Sequence, residues 1–250
     1  MVLPPALQSS RFELKYIISE GCARAIRDFA LSYLEPDEHD NPAEDFEYSV
    51  RSLYLDSPSM ALCRATMQGQ KNRFKLRIRY YDELPDSPAY LEVKRRLNDV
   101  ILKQRCAVRK SSVARILAGH FPAPADVLDQ TPRGHAALQH FLDLRTRIHA
   151  DGQVFVAYRR EAYVTANNNS LRLTFDRRLH GARYGGLGAL SYNGDRVYPD
   201  VGGVVLELKF TDRFPVWMRH LVRSFNLQRR SMAKYVECAL GLRVPTLQLY

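Results

Sequence analysis

The stretch Lys75-Leu76-Arg77-Ile78-Arg79-Tyr80 alternates basic and apolar residues at period two. An extended strand sends successive side chains to opposite faces, so this segment reads as a strand with one cationic and one apolar face. The pattern recurs. Tyr90 to Lys94 puts Glu92 and Lys94 on one face, and Ile101 to Val108 places Lys103 with Arg105. Leu171 to Asp176 groups Arg172, Thr174 and Asp176, Val205 to Phe210 groups Glu207 with Lys209, and Phe12 to Tyr16 pairs Glu13 with Lys15. One half-buried antiparallel strand ordinarily shows such a face to water. Six strands repeating it, three of them as Glu-x-Lys, favour a closed barrel. The charged faces would line its lumen, and helices would cover the apolar outside.

Strands are expected near 11–18, 47–56, 73–82, 88–96, 100–109, 153–164, 170–178 and 203–210, with Pro and Gly between them. Helical spacing appears at 20–34, 111–118, 135–149, 215–227 and 231–241, and the Gly- and Tyr-rich residues 181–199 read as a loop or hairpin. The expected fold is one α+β domain over residues 1–250: an eight-stranded antiparallel β-barrel tunnel with helices packed around the outside.

The formal net charge of +10 favours polyanionic partners, namely nucleic acid, an anionic membrane or phosphate compounds. Like charges facing one another across a lumen repel, and a polyanion would relieve that repulsion. The carboxylates among them stand where a hard cation could bridge protein and phosphate oxygens. Several alternatives lack their signatures. There is no P-loop, no HExxH and no DNA-reading motif, so no sequence-specific nucleic acid partner is expected. No apolar run is long enough to span a membrane, and the start lacks a signal peptide, so a cytoplasmic protein is expected. Cys22, Cys63, Cys106 and Cys238 form no CxxC pair and read as reduced, buried thiols.

The succession ExKY, RSLYLDSP, KLRIRYYD, LEVKRR, KQR, YRREAY, RLTFD, LELKF and a C-terminal AKY, from about Arg11 to Tyr235, resembles the VTC domain of the vacuolar transporter chaperone. That domain belongs to the triphosphate tunnel (CYTH-like) superfamily. The resemblance implies a polyphosphate polymerase that moves the γ-phosphate of ATP onto a growing polyphosphate chain with a divalent metal, Mn or Mg. It implies ATP or another triphosphate, and polyphosphate or pyrophosphate, as partners. Carried across, Lys15, Arg77, Arg79, Lys94, Arg160, Arg172 and Lys234 match the family's tunnel cations, and Glu207 its metal-binding glutamate. Ala233 stands where the family's SK[YF] motif has Ser. Lys209 joins the catalytic candidates, and Arg51, Lys75, Lys103 and Arg105 the phosphate-binding ones. Glu13, Glu92 and Asp176 are further metal candidates that would otherwise pair with basic neighbours. The superfamily also holds tripolyphosphatases and other triphosphate hydrolases, and a non-catalytic polyphosphate-binding module stays open beside them.

Overall fold

In the computed structural model, which describes residues 11–37, 46–98, 100–166, 170–186, 190 and 194–247, every expected strand forms. They are β1 (Arg11–Ile18), β3 (Glu47–Asp56), β4 (Asn72–Tyr80), β5 (Pro88–Leu97), β6 (Val100–Arg109), β7 (Asp151–Val164), β8 (Leu171–Arg183) and β10 (Val204–Thr211). Two-residue strands β2 (Glu35–Pro36) and β9 (Arg196–Val197) flank them. All ladders are antiparallel, and the eight long strands follow one another as β7-β3-β4-β5-β6-β1-β10-β8, with β8 pairing back to β7. The ring has one thin seam. Among the described residues β1 meets β6 through a single ladder pair, Arg11 with Ile101. Farther along that edge a C-terminal segment meets β1 at Lys15 and Tyr16, where Arg230 N–H donates to the Lys15 carbonyl at 2.9 Å and Arg229 bridges to Tyr16.

The helices are α1 (Glu20–Ala30), α2 (Ala61–Met67), α3 (Val113–Leu117), α4 (Pro132–Arg147), α5 (Val216–Ser224) and α6 (Lys234–Gly241). The apolar faces of β4, β5 and β6 (Leu76, Ile78, Leu91, Val93, Val108) bury against α3 and α4 through Ile116, Ala137 and Phe141. Those of β8 and β10 (Leu173, Phe175, Leu206, Leu208) bury against Ala23 and Ile26 of α1 and Met218 and Leu221 of α5. Each packing removes apolar area from water and leaves the opposite strand faces to the bore.

Helix α6 has a second task. Its Tyr235 and Cys238 pack with Tyr54, Val156, Tyr158 and Val205, which belong to the inward set, so this helix closes one end of the barrel. The Tyr54 and Tyr235 rings stack at 4.5 Å. Gly181 permits the approach, since a Cβ there would stand 2.6 Å from the Cys238 Cβ. The expected helix boundaries move in detail. The 20–34 helix ends at Ala30, the 111–118 segment begins as a 3-10 turn, and the 135–149 helix starts at Pro132 under a Thr131 cap. Within 181–199, β8 runs on to Arg183 and pairs with β9, while 187–189 and 191–193 lie outside the described residues. Helix α2 is not expected from its short sequence. All four cysteines are free, and Cys22 is half-buried rather than buried. No described helix is long and apolar enough to cross a membrane.

Candidate functional site: a cation-lined bore

Strand register brings the charged positions onto one inner surface. Lys15 faces Glu207 and Glu13 faces Lys209 across β1 and β10. Arg77 faces Glu92 and Lys75 faces Lys94 across β4 and β5, and Lys94 faces Lys103 on β6. Arg160 on β7 faces Asp176 on β8, and Arg172 faces Lys209. Lys75, Lys94 and Lys103 thus form a cross-strand row of three like charges, an arrangement that destabilises a sheet unless anions intervene.

The carboxylates are spent on part of this charge. Asp176 accepts two parallel bonds from Arg160 at 2.6 and 2.7 Å, and Lys234 reaches it at 2.6 Å. Glu207 draws Lys209 to 2.6 Å, Lys234 to 2.9 Å, Lys15 to 3.3 Å and Arg160 to 3.4 Å. Glu13 holds Lys94 at 2.9 Å and Lys15 at 3.2 Å. Glu92 holds Lys103 at 2.5 Å and Arg77 at 2.6 Å. Burial raises the carboxyl groups of Glu13, Glu92, Asp176 and Glu207, but their cationic neighbours outweigh it and hold all four below the usual carboxylate range.

Among the described residues, the inner cations Arg79 and Lys75 have no carboxylate within ion-pair distance, though Glu92 acts on Arg79 from farther away. Arg79 is buried, and among the described residues its guanidinium donates to the Ser52 and Tyr158 hydroxyls, each at 3.3 Å. Lys75 has no carboxylate within ion-pair distance among the described residues. Burial, then Lys15, Lys94, Arg73 and Arg77, push its amine down to about 7. Burial also pushes Lys103 and Lys209 down to about 7, since each shares its carboxylate with other cations. A buried cation without an anion is costly, which marks the places where an incoming anion gains most.

Not every candidate joins the bore. Arg51 points outward, sharing its parity with the core residues Leu53 and Leu55, and it pairs with Glu83 at 3.4 Å. Arg172 stands near the rim, bonded to Asp37 at 2.8 Å and the Tyr48 hydroxyl at 2.9 Å. Arg105 lies over the Tyr90 ring at 4.9 Å. A mouth of about 1030 Å3 takes in Glu13, Lys15, Lys75 and Lys94, but Arg77, Arg79, Arg172 and Glu207 are not in its lining. Arg77 and Glu207 are taken up by ion pairs, Arg79 lies buried against the Ser52 and Tyr158 hydroxyls, and Arg172 is held by Asp37. Sequence reasoning missed Arg73 and Arg96, which face each other at that mouth and continue the inward parity of β4 and β5. It also missed Arg229 and Arg230, which sit in a connection without periodicity.

The carboxylates suit a metal only in a restricted way. No three Asp, Glu, His or Cys side chains converge among the described residues. All four carboxylates are occupied by cations, and Glu13 and Glu207 share the Lys15 ammonium, so one cation already sits between two carboxylates. Hard divalent cations are commonly held by one or two carboxylates together with substrate phosphates, and Glu207 with Glu13 fits that donor set.

Against known proteins, a model of the VTC domain matches residues 10–242. No curated protein matches the chain. Among solved structures, a candidate adenylate cyclase from Bacillus halodurans has a TM-score of 0.53 at 14% identity, covering 90% of this chain and 94% of that one. A candidate adenylyl cyclase from Hippeastrum, described as having a dominant triphosphatase activity, has a TM-score of 0.48 at 14% identity, covering 94% and 98%. At such identities the likeness to the first concerns the fold.

Proposed function

The chain belongs to the VTC domain family, and on that premise we propose that it is a phosphotransferase that lengthens polyphosphate with the γ-phosphate of ATP. The observation that carries this reading is the pair of inner cations without a carboxylate at ion-pair distance among the described residues, Arg79 and Lys75, set among Arg77, Lys94 and Lys15. They define a path for a chain of phosphates rather than for a single anion.

Phosphoryl transfer asks mainly for alignment and charge neutralisation. Arg77 and Arg79 present planar forks from adjacent inward positions of β4, suited to gripping successive phosphoryl groups in line. Lys15, Lys75 and Lys94 neutralise the chain along the mouth. The acceptor is a terminal phosphate oxygen that is already anionic, so no general base is required. The bond from the γ-phosphorus to the bridging oxygen breaks, a new bond to the acceptor oxygen forms, and ADP leaves with the electron pair. Glu207 and Glu13 would hold Mn or Mg, which would supply further neutralisation of phosphate charge. Binding requires the inner pairs to loosen, so Glu92 yields Arg77 and Lys103 to the ligand. The four free thiols support a reducing, cytoplasmic setting.

The test is incubation of the purified chain with ATP and Mn, followed by sizing of the products. Long-chain polyphosphate with ADP supports the transferase. Free phosphate without polymer makes water the acceptor and the protein a hydrolase. Neither product, with tight polyphosphate binding, leaves a binding module.

A further inference from the structure

A second concentration of positive charge lies outside the bore. On the outer face of β3, β7 and β8, Arg51, Ala157 and His180 stand in one cross-strand row. Ala157 is small, and the row forms part of a cleft of about 510 Å3 whose walls also include Arg159, Arg178, Arg196 and Tyr198. Among the described lining residues the only carboxylate is Glu83, which is 64% exposed and pairs with Arg51 at 3.4 Å. Arg159 is partly neutralised by Glu47 at 3.4 Å. Arg178 has no carboxylate within ion-pair distance among the described residues.

Arg178 is also held in an unfavourable conformation. Its φ is 52°, in the left-handed region that a non-glycine residue rarely adopts, and it sits where the β7–β8 ladder shifts register between Ala157 and Arg159. Bulges of this kind re-aim side chains beside functional sites, and strain is retained where surrounding structure gains from it. The His180 ring lies 5.6 Å from that of Tyr198. Burial holds the imidazole below its ordinary value, and Arg196 and Arg51 add to the effect, so these side chains share one positive field.

We propose that this cleft is a second anion site, separate from the bore, that takes successive phosphoryl groups of an inorganic polyphosphate chain. Arginine forks from four separate segments suit a ligand that repeats the same charged unit, whereas one isolated anion would satisfy few of them. The site stands on the outer-face geometry and does not depend on whether the bore catalyses transfer.

The His180 ring reports on the site directly, because a bound anion raises its proton affinity. Tripolyphosphate is titrated into the full chain near pH 6.5 while the His180 ring resonances are followed by NMR, in the wild type and in Arg79→Met, which disables the bore. A saturable shift in both proteins is expected. Arg178→Gly relieves the backbone strain and so retains the fold. Combined with Arg51→Ala, it is expected to weaken the His180 response at least tenfold without changing tripolyphosphate binding in the bore. An unmoved His180 at millimolar tripolyphosphate would overturn the proposal. So would an unchanged response in the double variant, or a response to ATP with none to tripolyphosphate.

Discussion

The ammonium of Lys234, on the last helix, lies 2.6 Å from the carboxylate of Asp176, in the middle of β8. Burial would push that amine down, yet Asp176 and Glu207 hold it well up, so it stays charged at any physiological pH. The contact therefore pins α6 in the barrel end. Lys234→Met keeps the stem and removes the charge, leaving Asp176 with Arg160 alone. A loss of about 3 kcal/mol in urea unfolding is expected for breaking a buried pair. A loss below about 1 kcal/mol would mean the plug is held by its apolar contacts instead.

Arg79 has no carboxylate within ion-pair distance among the described residues; in the empty protein its charge is supported by the Ser52 and Tyr158 hydroxyls and by Glu92 at longer range, and it gains a close anion only with ligand. Arg79→Met is expected to leave the unliganded protein as stable or more stable. It should also remove most of the stabilisation by tripolyphosphate, which for the wild type is about 2.7 kcal/mol at one hundred times Kd. Thermal melts with and without tripolyphosphate measure both effects. Chloride at matched ionic strength should stabilise little, and equal effects of the two anions would remove the case for a specific site.

Lys75 gives the pH dependence its sign. Its folded value of about 7 lies below the ordinary 10.5, so between them the unfolded chain binds more protons. Stability is therefore expected to rise with pH across that window, and Lys75→Met should flatten the rise. A phosphate chain beside Lys75 favours its ammonium, so binding at pH 8 should take up protons and weaken as pH increases. Calorimetry in two buffers of different ionisation enthalpy reads this uptake. Identical heats in both would contradict it.

Glu207→Gln keeps the shape of the side chain and removes the charge shared by Lys15, Lys209, Lys234 and Arg160. Metal-dependent turnover should be lost, while metal-free polyphosphate binding should persist or tighten. Filter binding and product sizing separate the two. Full turnover in this variant would move the metal to Glu13, Glu92 or Asp176.

Much of the barrel was legible because alternation is a direct imprint of a two-sided strand. Lys75, Arg77 and Arg79 declare their face, and the cross-strand register then follows. Arg51 shows what was overlooked. Its own alternation with Leu53 and Leu55 already assigned it to the outside, while Ser52 and Tyr54 carried the inner face. Helix α2 was hidden for a different reason. Its first amides are capped from a distance by Asp56, which accepts from the N–H groups of Leu62 and Cys63 at 2.9 Å each, while Met60 precedes the helix at φ 58°. That Glu13, Glu92 and Asp176 pair with cations was an open alternative in the sequence, but which cations they meet was hidden, since Lys234 and Asp176 come together only through the fold.

The thin seam has a consequence for how the chain is made. Among the described residues β1 is held by β10 over the whole run from Arg11 with Thr211 to Ile18 with Val204, and by β6 at one pair only. On the ribosome the first strand therefore waits, largely unpartnered, until almost the entire barrel has been synthesised. The β3 to β7 strands can assemble meanwhile, but such distant pairing makes closure the slow step. Until β10 emerges, the waiting edge is open to pairing with another chain, and a product cut short before residue 204 would keep that hazard permanently.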